Sequence, residues 1–469
     1  LGALASVAVL VGLAISEQAN VVVVTAALFT MMFFTGLISP NATTLAIASQ
    51  HRRRGHDDLV RRTPGDGAVG GVATVNGHRV AVFSYDYMVL AGTQGHRNHL
   101  KKDKLFAVAA ELELPVVLFA EGGGGRPGDT DTGYITGLGD PAFRLLAGLA
   151  GQVPLVGVTA GYCFAGNAAL LGACDVVIAT RDSYTGMGGP AMIEGGGLGT
   201  YAPTDVGPAD VQYANGVIDL LADDEAHATA LAKQYLGYFH GSTDTWEAPD
   251  QTLLRDVVPP DRLRAYDVRA ALHGLFDTDS VLELRGGFGL GAITALARIE
   301  GHPVGVLACN PAHLAGAVDT DAATKAARFL DLCQTHRLPI VFLVDTPGFM
   351  VGPDVEATGL VRAAGQLFVS GARLTVPTAA VVLRKAYGLG AMAMMGGSLQ
   401  APLACVAWPT GEFGPMGLEG AVRLGYRAEL DAAGPEGSPA REELFRQLVD
   451  RQYEVGKALT IAEWYEIDD

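Results

Sequence analysis

Two stretches of the chain pair a buried strand with a turn and a helix start, an arrangement that can bind an anionic atom. In the first, a predicted strand at residues 153–159 leads into a turn at residues 161–166, and a helix follows. In the second, a strand at residues 376–383 leads into a turn at residues 384–390, before a helix of small residues. The first N–H groups of a helix lack partners within it and favour negative charge. The sequence therefore predicts two anion sites made of backbone amides.

These two stretches occupy corresponding places in a duplicated sequence. Displacing the chain by 224 residues lays one half on the other without a gap. The aligned positions include Gly77 with Gly301, Lys101 with Lys325, residues 115–121 with 339–345, and Ala165 and Gly166 with Leu389 and Gly390. Because a single displacement gives all of these matches, the sequence indicates two copies of a whole α/β unit. We expect domains at residues 57–270 and 271–469, with residues 240–275 as a linker.

The composition limits the function classes. The net charge is −17 over 469 residues, which argues against nucleic acid as the main partner. The five cysteines form no Cys-X-X-Cys pair and no Cys/His cluster, so neither a structural zinc site nor a disulfide framework is predicted. No Ser/His/Asp triad or His-rich metal cluster competes with the amide sites, and we predict no metal there. This cysteine usage fits a reducing cytoplasm.

The first 56 residues differ in character from the rest. Residues 1–15 and 21–38 are apolar runs, and the second is about long enough to cross a bilayer. Residues 1–50, through residues 36–43 in particular, are similar to a fragment of the drug-efflux transporters of the major facilitator superfamily. We interpret residues 1–56 as a foreign or mis-joined segment; a membrane anchor and a soluble helical hairpin are the alternatives. No membrane segment is predicted for residues 57–469.

The rest of the chain carries a specific set of motifs. They are residues 80–86 (VAVFSYD), 161–166 (GYCFAG), 189–192 (GPAM), 325–329 (KAARF), 345–349 (DTPGF) and 384–388 (RKAYG). With these motifs, residues 60–469 resemble the carboxyltransferase (β) component of biotin-dependent acyl-CoA carboxylases, in the crotonase superfamily. The resemblance implies two tandem crotonase-like (ClpP/crotonase) ββα superhelix domains, the first on the acyl-CoA side and the second on the biotin side.

The same resemblance implies an activity. A carboxyl group would pass from N-carboxybiotin, on a biotin carboxyl carrier protein served by a biotin carboxylase, to the α-carbon of an acyl-CoA such as acetyl-CoA or propionyl-CoA. Transfer creates two oxyanions, a thioester enolate and the ureido oxygen of biotin, and each needs preorganised donors. The resemblance assigns the amides of Ala165 and Gly166 to the thioester and those of Leu389 and Gly390 to biotin. It also implies that the released biotin nitrogen takes the α-proton.

The family pattern extends to substrate contacts and departs from this sequence in two places. The implied substrate-binding residues are Gly161, Tyr162, Cys163, Phe164, Gly188, Gly189, Pro190, Phe349, Tyr387, Gly388 and Met392. Relatives commonly end the first turn in two glycines, where this chain has Ala165 and Gly166. Many have Gly-Gly-Ala where this chain has Gly388, Leu389 and Gly390. Since only backbone amides are needed, neither change rules out activity.

Several interpretations stay open. The resemblance implies a homodimer or a dimer-based hexamer in which the first copy of one chain faces the second copy of another. A biotin-dependent decarboxylase subunit uses the same chemistry in reverse. An enoyl-CoA hydratase would need carboxylates at the first site, where none is evident, and a transport protein would rest on residues 1–48 alone.

Three local features also have alternative interpretations. The glycine-rich stretch at residues 121–128 is either a flexible turn or a ligand-contacting loop. Met392 is either a wall of the acyl pocket or plain core. Lys325 and Arg328 are predicted to lie on a solvated helix face.

Overall fold

A computed structural model of the chain describes residues 45–46, 61–126 and 138–469. The apolar runs of residues 1–38 lie outside the described residues. The chain divides into two compact units, Leu1–His240 and Gly241–Asp469, for which we keep the terms first copy and second copy. This boundary differs from the predicted division at 270/271. The predicted linker packs within the second copy, because Val258 and Val268 are buried in its core.

The first copy is built on a mostly parallel sheet. Its elements are β1 Leu45–Ala46, β2 Ala68–Val75, β3 His78–Tyr85, α1 His96–Glu111, β4 Val116–Phe119, α2 Ala142–Leu149, β5 Leu155–Thr159, β6 Tyr162–Phe164, α3 Gly166–Gly172, β7 Val176–Thr180, β8 Tyr184–Gly186, α4 Pro190–Gly195, α5 Ala209–Ala214, β9 Leu220–Ala222 and α6 Glu225–Gly237. The strand order is β1-β2-β3-β4-β5-β7-β9, antiparallel as far as β3 and parallel beyond it. Strands β6 and β8 pair separately in parallel. The short apolar strands β5 and β7 are buried along their whole length, as parallel strands covered on both faces are.

The second copy repeats this plan. Its elements are α7 Arg269–Leu275, β10 Leu282–Leu284, β11 Ala292–Ile299, β12 His302–Cys309, α8 Thr320–Thr335, β13 Ile340–Thr346, α9 Pro353–Glu356, α10 Leu360–Ala372, β14 Thr378–Tyr387, α11 Gly388–Met394, β15 Ala404–Ala407, β16 Glu412–Gly414, α12 Leu418–Gly425, α13 Arg427–Ala433, α14 Pro439–Val455 and α15 Ala458–Glu463. The strand order is β10-β11-β12-β13-β14-β15, and β16 also pairs with β14. In the described ranges, no helix is both long and apolar enough to cross a membrane.

The internal duplication is visible in both sheets, with one correction to its register. The hairpins β2–β3 and β11–β12, and the helices α1 and α8, correspond at the predicted displacement of 224 residues. At the helix starts the displacement is 223, since Phe164 and Tyr387 hold the same place in the strand pairing and Ala165 and Gly388 share a positive φ. Beyond the helix starts it becomes 228, as Val176 and Ala404 begin equivalent strands. The prediction of a register without a gap is therefore wrong from the helix starts onward.

Lys325 is buried, contrary to the prediction of a solvated face. Its Nζ donates to the carbonyl oxygens of Arg285 (2.9 Å), Phe288 (2.9 Å) and Ala292 (2.8 Å). Those carbonyls converge from the segment that leads into β11, so the lysine ties α8 to this segment. Its equivalent in the first copy, Lys101, donates in the same way to the carbonyl oxygen of Ala68 (3.0 Å). Arg328 is exposed, as predicted.

Candidate active site

The first helix start presents backbone amides, but not the predicted pair. Helix α3 begins at Gly166, whose N–H has no hydrogen-bond acceptor among the described residues. The N–H of Ala165 donates to the carbonyl oxygen of Gly186 at 3.1 Å, so it is already occupied. Ala165 also has φ 54°, a conformation that costs a residue with a Cβ about 1–3 kcal/mol. Of the predicted pair, only the Gly166 N–H has no acceptor among the described residues, and the strain at Ala165 explains why glycine suits position 165.

A glycine loop, residues 121–126, lies directly against this helix start. The N–H of Gly122 donates to Tyr162 O (2.6 Å), and the N–H of Phe164 donates to Gly122 O (2.8 Å). A Cβ on Gly124, whose φ is 84°, would lie 2.7 Å from Ala165 Cβ and 3.1 Å from Gly166 N. The described part of the loop is therefore held in place beside the free amide, which favours the ligand-contacting alternative over a flexible turn.

Replacing Gly124 by alanine is expected to slow any reaction that uses the Gly166 amide by about 10²-fold, the effect of losing one oxyanion donor. The new methyl group would push on Ala165 and cover the N–H of Gly166. Gly125→Ala is the matched control, since a Cβ there meets no atom within 4 Å. Steady-state turnover of both variants, with thermal unfolding as a check on folding, measures the difference. Equal rates in the two variants would contradict the placement of the site.

The predicted substrate contacts in the first copy are brought together, with one exception. Phe164 is buried, and a Cβ on Gly189 would lie 3.1 Å from its ring, so β6 supports the turn formed by Gly188 and Gly189 before Pro190. Tyr162 stacks on Tyr184 with ring centroids 5.2 Å apart, just beyond Gly161. Cys163 is fully buried, and burial raises the pKa of its thiol well above the usual range. Its side chain belongs to the core, and the substrate contact of Cys163 stays a prediction.

The second helix start has the same construction. Helix α11 begins at Gly388, which has φ 57°, and the N–H groups of Leu389 and Gly390 have no hydrogen-bond acceptor among the described residues. The Leu389 side chain is 62% exposed, so it contributes little to packing. A Cβ on Gly390 would lie 2.5 Å from the carbonyl carbon of Gly348. Gly348 corresponds to Gly124, so in both copies a loop glycine approaches the helix start too closely for a side chain.

The remaining predicted residues of the second copy surround this helix start. Tyr387 is buried, and its hydroxyl donates to Glu412 Oε2 at 2.8 Å, so it supports the turn and its hydroxyl is not offered to a ligand. The substrate contact of Tyr387 stays a prediction. Phe349 is half-buried beside Val318. Met392 lines a cavity of about 340 Å³ together with Gly388, Leu399, Phe413 and Ile461.

A buried ion pair anchors the second helix start, and the sequence did not reveal it. Asp345, at the end of β13, is fully buried, and Arg384 Nε donates to its Oδ2 at 3.1 Å. The N–H of Lys385 donates to Asp345 Oδ1 at 3.2 Å, and Lys385 Nζ lies 3.5 Å from the same atom. The pair fixes the end of β14 against β13, a few residues before α11 begins. It therefore sets where the amides of Leu389 and Gly390 point.

A family model for the carboxyl transferase domain matches residues 43–469. The chain belongs to the carboxyl transferase family. The methylmalonyl-CoA carboxyltransferase 12S subunit of Propionibacterium freudenreichii subsp. shermanii is 33% identical over 380 residues, covering 79% of this chain and 72% of that one. The biotin-dependent long chain acyl-coenzyme A carboxylase beta4 subunit of Mycobacterium tuberculosis is 32% identical over 392 residues, covering 81% and 74%.

Two solved structures extend this likeness. A single-chain, multi-domain long-chain acyl-CoA carboxylase is 56% identical, with a TM-score of 0.85, over 92% of this chain. The match covers 43% of that longer protein. The transcarboxylase 12S structure with methylmalonyl-CoA and methylmalonic acid bound is 28% identical, with a TM-score of 0.81, over 92% of this chain and 84% of that one.

These comparisons confirm several predictions. The chain is an enzyme, a carboxyltransferase component of biotin-dependent acyl-CoA carboxylases, with a crotonase-like α/β fold. Biotin and CoA thioesters are the cofactor and the substrate class of this family. Nothing in the comparisons supports the resemblance of residues 1–50 to a major facilitator transporter. The family match instead begins at residue 43, and β1 pairs with β2 within the matched range.

Proposed function

We propose that this chain transfers a carboxyl group between carboxybiotin on a carrier protein and the α-carbon of a long-chain acyl-CoA, in the cytoplasm. The observation that carries the proposal is the repeated helix start. In each copy it gives an amide site against which a loop glycine packs. The long acyl chain is supported by the 56% identity to the long-chain acyl-CoA carboxylase structure, against 28% to the 12S structure in the same comparison. In this proposal, acetyl-CoA and propionyl-CoA are secondary substrates.

The two amide sites have different tasks in this proposal. The N–H of Gly166 donates to the thioester oxygen when the α-carbon becomes an enolate, and the N-terminal end of α3 stabilises the same negative charge. The N–H groups of Leu389 and Gly390 donate to the ureido oxygen. Carboxybiotin supplies the carboxyl group when bound and, after release, a nitrogen that accepts the α-proton. The sites fit these roles because Gly124 and Gly390 let a glycine loop pack against each helix start, where a Cβ would clash.

The proposed partners are a biotin carboxyl carrier protein, a biotin carboxylase and a second copy of this chain. A biotin-dependent decarboxylase subunit remains the alternative, since the same sites serve both directions. Reconstitution with the two biotin partners separates them, because carboxylation of acyl-CoA requires ATP and decarboxylation does not.

The proposal is tested by reacting the purified chain with free biotin and carboxylated acyl-CoAs of increasing length. We expect biotin-dependent loss of the carboxyl group, with kcat/KM for a long-chain 2-carboxyacyl-CoA at least tenfold above that for malonyl-CoA or methylmalonyl-CoA. A preference for malonyl-CoA would overturn the assigned chain length. No biotin-dependent reaction with any of the substrates would overturn the proposed function.

A further inference from the structure

Beneath the first helix start lies a row of buried polar side chains that the mechanism above does not use. Lys102, on α1, is fully buried, and its Nζ donates to the hydroxyl of Tyr85 (3.1 Å) and to Oε1 of Gln94. Gln94 Nε2 in turn donates to Oδ1 of Asn167, the second residue of α3. Lys102, Gln94 and Asn167 thus form a continuous network, and all three side chains are buried.

The orientation of this network is fixed at its far end by backbone. Asn167 Nδ2 donates to the carbonyl oxygens of Gly92 (3.2 Å) and Glu121. Because a carbonyl oxygen only accepts, Asn167 must turn its nitrogen to the backbone and its oxygen to Gln94. Gln94 must then present its nitrogen to Asn167, which leaves its oxygen to accept from Lys102. Every link therefore depends on the one before it.

The network touches the amide site directly. A Cβ on Gly166 would lie 3.4 Å from Gln94 Nε2, so this amide group packs under the helix start. The N–H of Gln94 donates to Gly124 O at 2.7 Å, and the N–H of Arg126 donates to Gln94 O at 2.9 Å. Gln94 thus holds the glycine loop through its backbone and α3 through its side chain.

The second copy has the same backbone arrangement without the network. The N–H of Val318 donates to Gly348 O (3.0 Å), and the N–H of Met350 donates to Val318 O (2.9 Å), matching the bonds of Gln94. At the displacement of 224 residues, the counterparts of Tyr85, Gln94 and Lys102 are Cys309, Val318 and Ala326. At the helix start, where the displacement is 223, the counterpart of Asn167 is Gly390. All four counterparts are buried. The fold of this region therefore forms without the polar network.

Burying the polar side chains of the network costs free energy, and the second copy has no such side chains at the equivalent positions. Buried polar groups cost free energy unless they are fully hydrogen-bonded, and a buried ammonium costs more. Burial lowers the pKa of Lys102 to about 7, although Asp140, Asp103 and Asp66 act in the opposite direction. The second copy folds without such a network. We therefore attribute the network to the function of the first copy.

We propose that Lys102, Gln94 and Asn167 are positioning residues for the thioester site. They hold the start of α3 and the glycine loop in the one arrangement that aims the Gly166 N–H at the thioester oxygen. The inference rests on the proposed function of the first amide site. The three side chains act through backbone and do not themselves meet the reacting atoms.

The experiment gives the first copy the residues of the second at these three positions, as the triple variant Gln94→Val, Lys102→Ala, Asn167→Gly in the full chain. We expect a folded protein, since the second copy packs with these residues. We expect kcat for transfer from carboxyacyl-CoA to free biotin to fall roughly 10- to 100-fold, as small misplacements of catalytic groups do. KM for carboxyacyl-CoA and for biotin should stay within about threefold of wild type, because the catalytic amide rather than ground-state binding is disturbed.

Two further variants keep the inference falsifiable. Gln94→Glu preserves the shape of the side chain but cannot donate to Asn167, so it should also lower kcat. If the triple variant does not fold, Gln94→Glu alone tests the inference. Asn98→Ala removes a buried asparagine of α1 that bonds the carbonyl of Asp66, outside the network, and should leave kcat unchanged. Wild-type kcat in a folded triple variant, or in Gln94→Glu, would overturn the inference, as would an equal loss in Asn98→Ala.

Gly124→Ala, assayed alongside, separates this inference from the function on which it rests. If Gly124→Ala is slow and the triple variant is as fast as wild type, the network is only core packing and the thioester site stands. If Gly124→Ala is also as fast as wild type, the assignment of the first amide site fails.

Discussion

Replacing Leu389 by proline is expected to slow carboxyl transfer roughly 10²–10³-fold, which corresponds to about 2.7–4 kcal/mol of transition-state stabilisation. Proline lacks the N–H that Leu389 offers at the start of α11, and the first turn of a helix is where proline is best tolerated. Acyl-CoA binding should survive, because the thioester is assigned to the first copy. Initial rates with free biotin, together with direct measurement of acyl-CoA affinity, test both statements.

Leu389→Ala is the matched control for this prediction. It removes an exposed side chain and keeps the N–H, so its rate should stay near that of wild type. Circular dichroism checks that proline has not disturbed the helix. A parallel loss of CoA affinity in Leu389→Pro, or an equal loss of rate in Leu389→Ala, would contradict the role given to this amide.

Replacing Asp345 by alanine is expected to destabilise the second copy by about 3–5 kcal/mol. The carboxylate is fully buried between Arg384 and Lys385, so its removal leaves a buried guanidinium without its carboxylate partner. The hydrogen bonds from Arg384 to the carbonyl oxygens of Asp261 and Arg264 do not neutralise that charge. Urea unfolding followed by fluorescence measures the change.

Asp431→Ala provides the comparison for Asp345→Ala within the same copy. Its carboxylate pairs with Arg441 but is 58% exposed, and exposed ion pairs contribute little to stability. We expect its unfolding midpoint to stay close to that of wild type. If the two variants unfold at the same urea concentration, the ion pair of Asp345 does not anchor the second copy.

The sequence predicted the features that depend on local pattern. The strands predicted at residues 153–159 and 376–383 formed as the parallel strands β5 and β14. The repeat at 224 residues identified corresponding helix starts to within one residue. It also paired Gly124 with Gly348, a match that could have signalled the loop glycines in both sites.

Features that depend on distant partners could not be predicted. Nothing near Lys325 in the sequence shows that three carbonyls converge on its ammonium. The N–H of Ala165 is occupied by Gly186, which lies on another element. Lys102, Gln94 and Asn167 follow no local pattern and meet only when α1 and α3 pack in the fold. Residues 240–275 have the composition of a linker, yet Val258 and Val268 enter the core.

We propose, as the family resemblance implies, that two amide sites supplied by different chains share one reaction. Mixing two inactive variants, Gly166→Pro and Leu389→Pro, tests it most directly after they are unfolded and refolded together. In a random mixture, a quarter of the pairings unite an intact first copy of one chain with an intact second copy of another, so activity should return to roughly a quarter of wild type under two-fold pairing. If the mixture stays as inactive as each parent while sizing shows that chains have exchanged, both amide sites act within one chain and the claim is wrong.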